Sequence, residues 1–341
     1  MKTKIAYVLV SDESDTYLEQ TIISLYSLRF YNPNVTVVLV VDDITDLTIK
    51  GKRCKILEYI SEKRTINLDN QYNKLQRSRY LKTTLREYIE GDYLYIDSDT
   101  IITSSLEDID NFDCEIGAVK NHHMNVKEFS RDSFIRNCAV KIDWVLTEND
   151  KEFYNSGVFY VKDTEKTHRF YKEWNQIWQV SIKKGFHYDQ PALGKANSIS
   201  NYLIQELDGI WNCQILDNGL AFLFDAKIIH YFTSVKADSN EKPFYVFLDN
   251  SIYDRMKQVE KIPDDIILQI RHAKSAFSLD YRLCLGDELI LLSSDAYLRL
   301  KSIFIKFPSL FRIVDRWCWS MNQVIKVINR LRNNRWDSLF C

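Results

Sequence analysis

Asp97-Ser98-Asp99 is the place to start, because two carboxylates one residue apart make a hard oxygen site. Such a site suits a divalent cation that keeps open positions for phosphate oxygens. The pair follows the apolar run Tyr93-Leu94-Tyr95-Ile96 and leads into Thr100-Ile101-Ile102. Open α/β sheets bind ligands at the carboxyl ends of their strands, where this pair would stand. Asp-x-Asp is frequent by chance, and two Asp also suit a plain strand-to-loop turn. Four other segments give the pair a context. Arg79 and Lys82 are three apart and share a helix face, placed to meet a diphosphate. Asn155-Ser156 sets an amide and a hydroxyl just before a strand. Asp189-Gln190 sets a carboxylate and an amide at a helix start marked by Pro191. His230 ends the apolar pair Ile228-Ile229. Asp97, Asp99 and His230 together suit a manganese-like ion, since imidazole and carboxylate both serve that class. Each also has a bland reading: a solvated helix face for the cations, an Asx turn for Asn155, an N-cap for Asp189, a core histidine for His230.

The elements that must position these groups alternate. Ile5 to Val10 and Val35 to Val41 are apolar runs of strand type, with Ile56 to Ile60 as a third candidate. Helices are predicted over Tyr17 to Phe30 and over Lys74 to Ile89, the second with Leu75, Tyr80, Leu81, Leu85 and Tyr88 buried. Further strands are predicted at Tyr93–Ile96, at 116–119 and at 157–161, and a helix over Thr167 to Ser181 with Trp174 and Trp178 inward. This alternation implies a mostly parallel sheet covered by helices on both faces. After about Asp249 only helical periodicity remains, which places a boundary near residue 248 and divides the chain into 1–248 and 249–341.

Composition excludes several classes. The chain has 341 residues and a formal net charge of -2, so no global field favours nucleic acid. The seven Cys are scattered without a CxxC pair, which reads as reduced thiols in a cytoplasmic protein. No signal-type apolar segment follows Met1, and no stretch is apolar for long enough to span a membrane. The last segment has a separate logic. Phe304, Phe307, Phe311, Val314, Cys318, Met321, Ile325 and Ile328 recur at helical steps, with Pro308 at a first turn. Between Arg299 and Arg335 nine Lys/Arg face one acid, Asp315, with Trp317 and Trp319 interleaved and Trp336 just beyond. That pattern fits either a helix on an anionic membrane surface or a packed helix with a solvated basic side.

With these segments in this order, the stretch from about Lys4 to Phe247 resembles the retaining GT-A glycosyltransferases that include glycogenin and bacterial lipopolysaccharide galactosyltransferases. The resemblance is carried by Ser78-Arg79-Tyr80-Leu81-Lys82, Tyr95-Ile96-Asp97-Ser98-Asp99, Asn155-Ser156-Gly157-Val158, Asp189-Gln190 and His230. It implies a GT-A (Rossmann-like) α/β fold with a C-terminal helical extension. It implies Mn2+ or Mg2+ at Asp97, Asp99 and His230. It implies a nucleotide site at Val10, Ser11 and Tyr17, with Ser98, Arg79 and Lys82 beside it. Asn155, Asp189 and Gln190 fall where the transferred sugar sits. Lys242, in Lys242-Pro243-Phe244, stands for a diphosphate-binding Lys, although the family's Gly is absent, the spacing is longer and Phe replaces Trp.

The function expected is transfer of a hexose from a nucleotide sugar, UDP-linked by resemblance, to a saccharide or lipid-linked acceptor in surface polysaccharide synthesis. The protein is expected in the cytoplasm, with a peripheral membrane contact through its tail. Two rivals stand beside this. One is a haloacid-dehalogenase-like phosphatase using Asp97 and Asp99, with Asp264-Asp265 as a late acidic pair. The other is a non-catalytic homologue that binds nucleotide sugar.

Overall fold

The computed structural model describes residues 1–68, 71–125, 132–148, 150, 152–215, 218–232, 243–259, 261–278 and 286–337. The chain divides into two compact units, Met1–Tyr281 and Arg282–Cys341. The strands of the first unit are β1 (Lys4–Leu9), β2 (Val37–Asp42), β3 (Glu62–Ile66), β4 (Tyr93–Ile96), β5 (Thr100–Ile102), β6 (Ile116–Lys120), β7 (Tyr154–Val161), β8 (Ile204–Glu206), β9 (Cys213–Gln214) and β10 (Ile228–His230). Its helices are α1 (Tyr17–Tyr31), α2 (Asp43–Thr48), α3 (Lys74–Thr83), α4 (Asp132–Lys141), α5 (Glu165–Lys183), α6 (Gln190–Ile199), α7 (Asn250–Gln258) and α8 (Asp264–Arg271).

The main sheet has seven strands in the order β3-β2-β1-β4-β7-β6-β8. Neighbours are parallel except at β7, which runs antiparallel to both β4 and β6. A smaller three-stranded sheet has the order β5-β10-β9. Strand β1 shows why the central runs read as continuously apolar. Ile5, Tyr7 and Leu9 enter one core with Leu18, Ile22 and Leu25 of α1, while Ala6 and Val8 enter the other with Leu81, Trp174 and Trp178. Successive side chains point to opposite faces, and here both faces are covered.

Four expectations differ from the structure. The segment proposed as a third strand falls in the 3₁₀ turns of Gly51–Tyr59 and their cap Ile60, and the third strand is β3. β3 is the edge strand Glu-Lys-Arg-Thr-Ile, which alternates between exposed and half-buried positions. Charged side chains on an edge discourage pairing with other chains, and they hide the strand from a search for apolar runs. The helix expected to run to Ile89 ends at Thr83, followed by a 3₁₀ turn at Leu85–Glu87. Asn155 and Ser156 lie within β7, not before it. Finally, 249–281 belongs to the first unit, because Ile252, Tyr253 and Met256 of α7 and Ile266 and Ile270 of α8 join its core.

The second unit contains α9 (Gly286–Ser293), α10 (Asp295–Lys306) and α11 (Pro308–Asp337). Phe304 of α10 meets Phe311 of α11 edge to face, with ring centroids 5.0 Å apart. α10 buries none of its residues. Among the described residues no helix is long and apolar enough to cross a membrane.

Candidate active site

β4 ends at Ile96, so Asp97, Ser98 and Asp99 emerge where the parallel strands end, and the chain turns at once into β5. Three bonds hold this turn. Asp97 N–H donates to the Gly157 carbonyl on β7 at 2.7 Å, and Tyr231 N–H donates to the Asp99 carbonyl at 3.1 Å. Thr100 Oγ1 donates to the Asp97 carbonyl at 2.8 Å. β10 pairs antiparallel with β5, with His230 opposite Thr100. That register sets the imidazole beside the acids. One ligand atom from each of Asp97, Asp99 and His230 lies within 4.8 Å of the others. His230 Nε2 is 3.3 Å from Asp99 Oδ1. Gly157 is required by this approach: a Cβ there would lie 2.3 Å from His230 Cε1 and 2.9 Å from Asp97 Oδ2. Two carboxylates, one imidazole and a backbone kept bare beside them fit a divalent cation.

The trio lines a cavity of about 410 Å³ that also takes in Val10, Tyr17, Ser98, Arg79, Lys82, Asn155, Asp189 and Gln190. α3 aims the cations. It starts with a reciprocal cap between Asn73 and Gln76, and its next turns bring Arg79 and Lys82 to one side. Lys82, only 3 % exposed, places Nζ 3.2 Å from both Asp97 oxygens and 3.8 Å from Asp189 Oδ2. Arg79 Nε is 3.1 Å from Asp189 Oδ1. Ser156 Oγ donates to Asp189 at 3.0 Å. Burial pushes the Asp189 carboxyl up, but Arg79, Lys82, the backbone and Ser156 outweigh burial and hold it below the ordinary carboxylate value. Tyr95 donates its hydroxyl to Asp97, and burial raises that phenol far above its usual value, so it stays a donor.

A family model for glycosyl transferase family 8 matches residues 8–239, more than half of the chain. The chain belongs to glycosyl transferase family 8. It is therefore a glycosyltransferase, and the α/β sheet described above is the GT-A arrangement that the sequence resemblance implied. A comparison with curated protein sequences gives no match. Among solved structures, the chain is similar to mouse xyloside xylosyltransferase 1 in its apo form, at 14% identity over 70% of this chain and 100% of that one, with a TM-score of 0.47. It is similar to galactosyltransferase LgtC in complex with donor and acceptor sugar analogues, at 14% identity over 77% of this chain and 98% of that one, with a TM-score of 0.49. It is also similar to the glycosyltransferase GlyE of Streptococcus pneumoniae TIGR4, at 19% identity over 83% of this chain and 67% of that one, with a TM-score of 0.44. Family membership rests on the sequence match and not on these likenesses.

In this family 8 chain most of the residues singled out from the sequence meet around one cavity. Ser11 does not line it. Its hydroxyl donates to Asp15 at 2.7 Å and accepts from Arg53 at 2.9 Å, which ties the loop after β1 from behind. Lys242 lies outside the described residues. Asp264 and Asp265, the acidic pair of the phosphatase reading, open α8, and Asp265 is held by Arg255 at 2.8 and 2.9 Å. They do not line the cavity.

Three residues at the family 8 site escaped the sequence reading. Asn121 accepts from both Asn155 Nδ2 at 3.0 Å and Gln190 Nε2 at 3.1 Å, so one amide orients two others. Asn212 touches Asn155 at 2.9 Å and His230 at 3.1 Å. Phe232 stacks on the His230 ring, with centroids 4.0 Å apart and planes 27° apart. It does so with φ at 53°, a left-handed backbone that a bulky residue rarely adopts. A lone Asn carries no motif, and a left-handed Phe leaves no mark in a sequence, so only Asn121 had a usable signal, its place just after an apolar strand.

Proposed function

We propose that this glycosyltransferase moves a hexose, with retention at the anomeric carbon, from a nucleoside diphosphate sugar to a saccharide or lipid-linked acceptor. The observation that carries this reading is the convergence of Asp97, Asp99 and His230 within 4.8 Å in a cavity that also holds Arg79 and Lys82. In this reading Asp97, Asp99 and His230 hold Mn2+ or Mg2+. A divalent cation so placed supplies Lewis-acid neutralisation of the charge growing on a leaving diphosphate. Val10 and Tyr17 border the part of the cavity assigned to the base, UDP being the nucleotide expected. Ser98 stands between the two acids, on the nucleotide side.

The chain's own groups do the rest. Lys82 and Arg79 present fixed positive charge where the leaving phosphate gains negative charge, and burial makes the Lys82 contribution strong. Asp189, kept ionised by the same two cations, faces the sugar with Gln190 and stabilises its developing oxocarbenium character. Asn155 and Gln190, both anchored on Asn121, orient the sugar's hydroxyls. The covered sheet beneath them holds the groups in place before substrate arrives, which is where preorganisation has its value.

The acceptor side is read from the second unit. Trp317 and Trp319 are 65% and 64% exposed, and nine Lys/Arg accompany one acid between 299 and 335. This suits an anionic membrane surface and hence an acceptor carried on lipid, as in surface polysaccharide synthesis at the cytoplasmic face. The test of the whole reading is a panel of nucleotide sugars with Mn2+ and with Mg2+, scored by released nucleotide. Turnover of one donor that stops with chelator is expected. A chelator-insensitive rate, or phosphate release from phosphomonoesters, removes the metal role or restores the phosphatase rival. Calorimetry with Mn2+ and a nucleoside diphosphate separates the remaining rival, since a non-catalytic homologue binds both without turnover.

A further inference from the structure

We propose that Asn212 is a positioning residue that keeps a hydrogen on His230 Nδ1 and so makes Nε2 the nitrogen available to a cation. The inference rests on the metal reading above for its purpose, but it concerns the metal-free chain. It begins at a backbone group whose role is not open. Gly157 N–H donates to Asn155 Oδ1 at 2.8 Å, which identifies that atom as the oxygen. The Asn155 amino group is then the one that meets Asn121, at 3.0 Å. Asn212 approaches the same Asn155 oxygen at 2.9 Å, and only its own amino group can donate there. The Asn212 carbonyl oxygen therefore faces His230 Nδ1, at 3.1 Å. A side-chain carbonyl accepts and never donates, so Nδ1 carries the hydrogen. In the neutral ring Nε2 is then unprotonated, and it points at Asp99 Oδ1, 3.3 Å away.

Burial makes the choice firm. Asn212 is 0% exposed and His230 2%, so water replaces neither partner. Turning the Asn212 amide over would set its oxygen against the Asn155 oxygen, leaving two buried acceptors face to face without a hydrogen between them. The opposite tautomer would aim Nε2–H at Asp99 and cover the lone pair that a cation needs. A backbone N–H on β7 is thus read through two amides as the donor pattern of an imidazole on β10. Groups that orient ligands in this way tune affinity by roughly 10- to 100-fold when removed.

The experiment is long-range 1H–15N NMR on the full chain without metal, at a pH where free imidazole is neutral. His230→Gln assigns the His230 signals. The expected result is a protonated Nδ1. Asn212→Leu is expected to shift the ring toward Nε2–H and to weaken Mn2+ binding, measured by calorimetry, roughly 10- to 100-fold. Asn212→Asp still faces Nδ1 with an oxygen but sets its other oxygen against that of Asn155, so it is expected to keep Nδ1–H while losing stability; the natural chain's spectrum serves if neither variant folds. A purely structural role would lower the stability of both variants and leave Nδ1 unchanged in both. A bare Nδ1 in the natural chain, or an unchanged Nδ1 and affinity in a folded Leu variant, overturns the proposal. A protonated Nδ1 in a chain that takes up no Mn2+ supports the tautomer assignment and instead defeats the metal reading.

Discussion

The two compact units handle apolar surface in opposite ways. In Met1–Tyr281 both faces of the main sheet are covered, and a set of buried polar groups is paired around one cavity. Lys82, Asp189, Asn155 and His230 are all under 5% exposed, and each has a partner. In Arg282–Cys341 large apolar side chains such as Ile313, Trp317 and Trp319 stand at 64–66% exposure. Buried polar groups are kept where chemistry needs a low dielectric and fixed donors. Contiguous exposed apolar groups are kept where something else is to cover them. On the function proposed above, catalysis belongs to the first unit and attachment to the second.

Four experiments press on that contrast. The largest effect is expected from Asp99→Asn, which removes one of two acids facing His230: transfer should fall at least about 100-fold with the melting temperature little changed. Unimpaired transfer in that variant would strip the trio of its role. Gly157→Ala comes next. The new Cβ has no room beside His230 and Asp97, so metal affinity and activity should drop together by roughly 10- to 100-fold. A variant with normal Mn2+ binding would mean that the site is far looser than its distances imply.

The third experiment moves to the second unit. Arg312→Ala with Arg316→Ala removes two cations worth about 1 kcal/mol each at an anionic surface, so binding to vesicles rich in phosphatidylserine should weaken roughly 30-fold. Turnover with a soluble acceptor should be unaffected. Equal loss of soluble turnover would erase the division of labour between the units. The smallest effect concerns Asp189. Its folded value is depressed, so its contribution to stability is present above the unfolded value, about 3.9, and is lost as pH falls through the lower folded value. In that window the unfolded chain binds more protons than the folded one. Asp189→Asn should therefore melt a few degrees lower at pH 7, with the gap to the natural chain narrowing below about pH 4. A gap that stays constant with pH would show that the carboxylate is not held by Arg79 and Lys82.

The fold was legible where a run of residues reports on its own surroundings. Residues 37–41 of β2 and Tyr93–Ile96 are apolar throughout because both sheet faces are covered, and Pro191 after Asp189-Gln190 marked the start of α6. β3 was not legible, because an edge strand of charged residues looks like a loop. Nor was the extent of the first unit, because α7 and α8 have the same helical periodicity whether they pack on the sheet or on one another. At the site, Asp97 and Asp99 announced themselves by spacing, and His230 by its place in a known order. Asn212 and Phe232 had nothing to announce them, since their value lies entirely in what they touch, and Asn121 had only its place after an apolar strand.

The amino-acid sequence by itself determined the alternation of strands and helices, the acid pair at a strand end, the cations on one face of α3 and the basic, aromatic character of the last sixty residues. These are local properties, set by side-chain type and by the periods of the strand and the helix. Tertiary structure alone decided that β10 lies against β5, that Gly157 must be bare, that Ser11 turns away from the cavity and that a chain of amides reaches His230. Each of those depends on groups distant in the chain meeting within a few ångströms, and no periodicity of a single segment encodes such a meeting.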